Sequence, residues 1–129
     1  MTDLDGRASR GLRVPDRLYK GYVFDLDGTV YLGDQLLPGA AEAIAELKRH
    51  ARVVYLTNKP LELPLDYARK LTRLGIETSA QEIVSSVDAL LAYLAAYAPA
   101  ARLFVVGENV LVDALASAGY AITERASEV

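Results

Sequence analysis

Apolar and polar positions alternate between two rhythms along this chain. Tyr22 to Phe24 is an apolar run that predicts a strand over about Gly21 to Leu26. Ala40, Ile44 and Leu47 then recur at helical spacing, with Pro38 at the start and Lys48, Arg49 and His50 at the negative end of the helix dipole. Arg52 to Leu56 is β-branched and aromatic, a second strand closing at Thr57-Asn58. Leu65, Ala68 and Leu71 mark one face of a second helix, Gly75 is its C-terminal cap, and Pro60 and Pro64 must lie at or before its first turn. Ile83 to Ser85 is a short strand. Val87, Leu90, Leu91 and Leu94 form the stripe of a third helix with Asp88 in its first turn, where Tyr93 and Tyr97 predict core or interface packing. Arg102 to Val106 is a strand ending at Gly107. Leu111, Ala114, Leu115 and Ala118 stripe a fourth helix ended by Gly119, and Tyr120 to Ile122 starts a further strand. Strands and helices in strict alternation predict a parallel sheet with helices on both faces.

The first strand ends in a pair of carboxylates. Side chains alternate along a strand, so Asp25 and Asp27 leave one face and Leu26 the other. Like charges so close are costly unless a cation or a shared proton relieves them. The C-terminal end of a parallel strand is where open α/β sheets bind ligands. The pair therefore points to a metal-assisted site with one carboxylate as nucleophile and the other as acid and base. Ordinary turn chemistry is the bland alternative for an isolated Asp-x-Asp-Gly.

Asp25-Leu26-Asp27-Gly28-Thr29-Val30 resembles the first motif of the haloacid dehalogenase (HAD) superfamily, most of whose members are magnesium-dependent phosphohydrolases. Tyr31-Leu32-Gly33-Asp34, Leu37-Pro38-Gly39-Ala40 and the strand Val53-Val54-Tyr55-Leu56 closing at Thr57-Asn58 are similar to the NagD-like, p-nitrophenylphosphatase-like branch. The resemblance runs from about Lys20 to near the C-terminus and includes Val105-Val106-Gly107-Glu108. It implies a three-layer α/β/α Rossmann-like core with a mainly parallel sheet, truncated before the cap and the last core strands. Residues 1–19 are then a flexible leader and 20–129 a partial HAD-like core domain.

By the resemblance, Asp25 attacks phosphorus and carries an aspartyl-phosphate. Asp27 protonates the leaving oxygen and then activates water. Magnesium takes the Asp25 carboxylate and the Asp27 backbone carbonyl. Gly28, Thr57 and Asn58 face the phosphoryl oxygens, and Asp27 to Leu36 is a small turn and flap beside the site. Lys59 stands where the family commonly has another Asn. It is read as a solvated turn lysine, not as the family's third-motif lysine, which with the acidic fourth motif would lie beyond Val129.

Composition narrows the alternatives. The 129 residues suit one domain, and 52% hydrophobic with 24% charged residues can bury a core. No run of about 18 apolar residues predicts a membrane span, and the N-terminal residues lack a secretory signal's apolar segment. The chain has no cysteine, which excludes disulfides and thiolate metal sites and favours a cytoplasmic setting. A net charge of −3 without a basic stripe argues against nucleic acid, and Arg7, Arg10, Arg13 and Arg17 read as solvating the leader. His50, the one histidine, is explained by its helix end.

The function expected is Mg2+-dependent hydrolysis of small phosphomonoesters by the complete enzyme, with this chain alone poorly active. The alternative is a non-catalytic truncated module that binds a phosphate ligand or a partner chain. A phosphoacceptor receiver domain fails, because its acceptor Asp would stand where Ser85-Ser86 or Gly107 does. The expected partners are a small phosphorylated metabolite and, because Tyr22 to Leu26 becomes an open edge, a homo-oligomer or a complementing chain.

Overall fold

A computed structural model describes residues 17–59 and 62–129. The leader before Arg17, and Pro60, lie outside the described residues. Arg17 itself stands over the Tyr19 ring, 4.9 Å from its centroid.

Strand β1 (Gly21–Asp25) pairs in parallel with β4 (Arg52–Thr57), which pairs in parallel with β5 (Ile83–Ser85). The order β1-β4-β5 makes β4 the centre and leaves β1 on an edge. The excursion after β1 is a small antiparallel hairpin of β2 (Tyr31–Leu32) and β3 (Gln35–Leu36), as the sequence predicts for the flap.

Helix α1 (Ala40–Lys48) follows. It starts later than Pro38 suggests, because Gly39 intervenes with φ of 79°, a left-handed conformation that glycine enters at little cost. Helix α2 (Pro64–Leu74) carries Pro64 in its first turn and ends at Gly75 with φ of 106°, both as expected. Its buried face is Tyr67, Ala68 and Leu71, whereas Leu65 is exposed. Tyr67 displaces Leu65 because its hydroxyl finds a partner while its ring is buried, donating to the Lys59 carbonyl at 2.8 Å.

Parallel neighbours in register share a face. Val53, Tyr55, Thr57, Ile83 and Ser85 turn to one side, where they meet Ile44 of α1 and Tyr67 and Leu71 of α2 in the main core with Leu26, Val30 and Tyr31. Val23, Leu56 and Val84 turn to the other side and are exposed, Val23 by 69%.

Helix α3 (Ser86–Tyr97) is opened by a reciprocal cap: Asp88 N–H donates to the Ser85 hydroxyl, and Ser85 N–H donates to the Asp88 carboxylate. Tyr93 and Tyr97 pair at 4.8 Å with tilted rings on the surface, which leaves interface packing, not core packing, as the open half of the expectation. Strand β6 (Arg102–Phe104), helix α4 (Asn109–Ser117) and strand β7 (Ala121–Thr123) complete the chain. Both strands are shorter or shifted by a residue or two from the sequence pattern, as element ends commonly are.

One expectation of the alternation fails. β6 and β7 pair in parallel with each other and form a separate sheet, not an extension of the first. Alternation fixes the parallel crossover but not which sheet receives the strand.

Candidate active site

The chain reverses sharply where β1 ends. The carbonyl of Leu26 accepts N–H groups from Thr29, Val30 and Tyr31 at 3.2, 2.9 and 3.3 Å, and Gly28 N–H donates to the Tyr31 carbonyl at 2.7 Å. Gly28 holds φ of 78°, a conformation costly for any residue with a Cβ. Leu26, Val30 and Tyr31 are buried beneath this loop, while Asp25, Asp27, Gly28 and Thr29 stay exposed. The apolar residues thus fix the backbone and leave the polar ones exposed to solvent. One oxygen of Asp25 accepts its neighbour Leu26's N–H at 2.9 Å.

The end of β4 lies beside this loop, with Asp25 in register with Leu56. Thr57 sits one residue further, on the core side, only 2% exposed. Its hydroxyl accepts the Lys59 N–H at 3.3 Å. Asn58 is exposed, and its carbonyl accepts the Ser86 hydroxyl at 3.3 Å. Gly28 and Asn58 therefore present themselves to solvent near the carboxylates, whereas Thr57 is folded inward.

Lys59, expected to be a solvated turn lysine, lies beside a carboxylate. Its ammonium stands 3.8 Å from an Asp27 oxygen, with the two side chains 52% and 41% exposed. A signal existed in the sequence: a cation two residues beyond the Thr that ends the strand next to an Asp-x-Asp pair. His50, by contrast, lies 3.1 Å from Glu46 on its own helix and has no part in the site.

Tyr31 lies under the carboxylates. Burial, with repulsion from Asp27 added, pushes its hydroxyl far above the ordinary tyrosine range, so it stays neutral. Lys70 covers its ring at 4.2 Å. Burial also raises Tyr67, whose hydroxyl remains a neutral donor to the Lys59 carbonyl.

Among the described residues, no group of three or more acidic or histidine side chains gathers for a metal. The donors at hand are Asp25, Asp27 and backbone carbonyls. These hard oxygens suit magnesium, which takes one or two carboxylates from a protein and keeps its other ligands from water and phosphate.

The sequence model of the haloacid dehalogenase-like hydrolase family matches residues 22–121. The chain belongs to that family. An acid sugar phosphatase of Staphylococcus saprophyticus is 35% identical over 82% of this chain and 41% of its own length. The 4-nitrophenylphosphatase of Thermotoga maritima superposes with a TM-score of 0.73 at 31% identity, over 82% of this chain and 41% of that one. Glycerol phosphate phosphatase of Mycobacterium tuberculosis, solved with magnesium, gives a TM-score of 0.71 at 28% identity, over 84% and 33%. With the likeness to NagD proteins, these put the chain in the NagD-like, p-nitrophenylphosphatase-like branch of the HAD fold. The chain spans about two fifths of the length of the curated relatives it matches. No helix among the described residues is long and apolar enough to cross a membrane.

Proposed function

We propose that this chain carries the nucleophile half of a phosphomonoester hydrolase. The observation that carries the reading is the exposed Asp25 and Asp27 pair at the C-terminal end of β1, held by a loop whose backbone is pinned by buried Leu26, Val30 and Tyr31.

An Asp25 oxygen forms a bond to phosphorus while the ester oxygen leaves and takes a proton from Asp27. Asp27, now a carboxylate, accepts a proton from the water that attacks the aspartyl-phosphate. That step releases inorganic phosphate and restores Asp25. Asp25 needs no proton removed to act as nucleophile, which suits its exposed, singly bonded carboxylate. Gly28 lets the ligand approach the backbone closely, and Asn58 offers its backbone N–H. The buried Thr57 hydroxyl accepts the Lys59 N–H, which holds the turn of residues 57–59 in shape, and keeps its own hydrogen to donate to a phosphoryl oxygen.

Magnesium, held by the Asp25 carboxylate and the Asp27 backbone carbonyl, would neutralise charge between the phosphoryl group and the carboxylates. The substrate class is a small phosphorylated metabolite in a cytoplasmic setting. Residues 20–129 act as a partial core behind the leader of 1–19. The open edge of β1 takes a second copy of this chain or a complementing one.

The absence of a third acidic ligand among the described residues favours a second reading, a non-catalytic module that binds phosphate. The two part in one experiment: an aryl phosphate is assayed with magnesium on the 129-residue chain, and the protein is probed for an acid-stable, base-labile phosphoryl adduct. The enzyme reading expects slow turnover and an adduct that Asp25→Asn abolishes. Phosphate binding without turnover or adduct establishes the module instead.

A further inference from the structure

We propose that Lys59 is the phosphate-binding cation of this site, exchanging Asp27 for a phosphoryl oxygen when the ligand arrives. The inference rests on the reading of Asp25 and Asp27 as a phosphate site and adds a residue to it.

Charge makes the case first. Two carboxylates face a ligand that itself carries about two negative charges near neutral pH. Among the described residues, Lys59 is the one cation within ion-pair distance of either carboxylate. A site with this sign of charge repels its ligand unless such a group turns toward it.

The backbone of Lys59 is fastened at three points. Its N–H donates to the Thr57 hydroxyl, its carbonyl accepts the buried Tyr67 hydroxyl, and the preceding carbonyl, of Asn58, accepts the Ser86 hydroxyl. Helices α2 and α3 thus both grip the turn. Three side-chain bonds to the backbone of two consecutive residues, Asn58 and Lys59, are more than a solvated turn needs. They set the root of the lysine beside the carboxylates while its ammonium stays free.

The ammonium is held loosely. At 3.8 Å it is beyond hydrogen-bond distance of Asp27, and half of the side chain is exposed. A point charge on a flexible four-carbon stem can leave one oxygen for another nearby. Tyr67 is a positioning residue here, acting through the Lys59 carbonyl.

The test uses inorganic phosphate and magnesium, each titrated by calorimetry into the 129-residue chain and into Lys59→Met, Lys59→Arg and Asp25→Asn. Lys59→Met should weaken phosphate about tenfold, which is one modest ionic contact, and Lys59→Arg should recover most of it. Magnesium affinity should be unchanged or higher in Lys59→Met, because a competing cation has left Asp27. A merely structural lysine would lower both affinities, and equal phosphate binding by parent and Lys59→Met would likewise overturn the proposal. Parental phosphate binding that Asp25→Asn alters while Lys59→Met does not would leave the phosphate site standing without Lys59. A parent that binds no phosphate would remove the site and this inference together.

Discussion

Among the described residues there are two parallel sheets, and the proposed site stands on one of them. In β1-β4-β5 the central strand has a neighbour on each side and a helix-covered face, and the main core is drawn entirely from Leu26 to Ile83. In β6-β7 both strands are edges, three residues long, and Thr123 is their one buried residue. Carboxylates stand at the C-terminal ends of both. Those after β1 are left facing solvent beside one loose cation. After β7, Glu128 already accepts the Thr123 hydroxyl and lies 3.7 Å from Arg125. The C-terminal end of a parallel strand permits a site. What makes one is a rigid base that strands polar groups without local partners.

The sharpest way to break this contrast is to remove one carboxylate from each sheet. Asp25→Asn keeps shape but cannot form the acyl-phosphate, and any aryl phosphatase activity should fall by at least about 10³-fold, as when other nucleophiles are lost. Glu128→Gln should leave activity within about twofold, since a surface change far from the chemistry rarely matters. Near-parental turnover by Asp25→Asn would take Asp25 out of the mechanism.

Stability should divide along the same line. Leu71 is fully buried within the main core, and Leu115 is nearly as buried but lies outside it on a helix whose other residues are half-buried or exposed. Leu→Ala costs roughly 2–5 kcal/mol, least where the surroundings can close over the gap. Leu71→Ala should lie near the top of that range and Leu115→Ala near the bottom in urea denaturation. Equal losses would mean that the two sheets unfold as one equally packed unit.

The sequence was informative where a single strand decides the outcome. Leu26 is buried while Asp25 and Asp27 on either side of it are exposed, and that pattern follows from alternation. Gly75 capped its helix as expected. What the pattern could not carry was anything needing two distant segments. The choice of Tyr67 over Leu65 for the buried face turns on the Lys59 carbonyl eight residues away. The separation of β6 and β7 turns on pairing energetics that hydrophobic period does not encode. The solvated-turn reading of Lys59 gave its neighbour no weight, because the Asp27 carboxylate reaches it only once β1 and β4 are in register.

Association tests a smaller difference. Among the described residues no strand pairs the outer edge of β1, which also carries Val23 on the bare face, with Lys20 at one end and Asp25 at the other. An antiparallel pairing of two such edges across a two-fold axis would set each basic end toward an acidic one. Sedimentation at micromolar to millimolar concentration, about the range where exposed edges associate, should show a dimer that Val23→Lys weakens about tenfold or more, since charge on an edge opposes pairing. Val106→Lys, beside the second sheet and even more exposed, should do nothing. A monomer throughout that range would refute edge pairing.

The smallest effect concerns the underside of the first sheet. Lys48 of α1 reaches Glu82, just before β5, at 2.8 Å, while the second sheet has only the local Arg125 and Glu128 contact. Burial alone would raise the Glu82 carboxyl, but bonds from Lys48 and from the Ser79 N–H outweigh it and hold Glu82 below the usual carboxylate range. A folded pKa below the unfolded one adds stability that is fully present above the unfolded value and is lost as pH falls through the folded one. Glu82→Gln should therefore cost up to about 1 kcal/mol near pH 7, the ceiling for a partly exposed pair. Its cost should shrink as pH drops below about 4.3, the ordinary Glu value, and vanish once Glu82 is protonated in both states. Glu46, also lowered, through its bond with His50 and the charge of Arg49, is fully exposed on α1 and joins nothing across the fold. Glu46→Gln is the control and should show no resolvable pH-dependent cost. Urea midpoints of the two variants between pH 3 and pH 7 decide the matter, because a cost for Glu82→Gln that persists unchanged at the acid end cannot come from its ionised form.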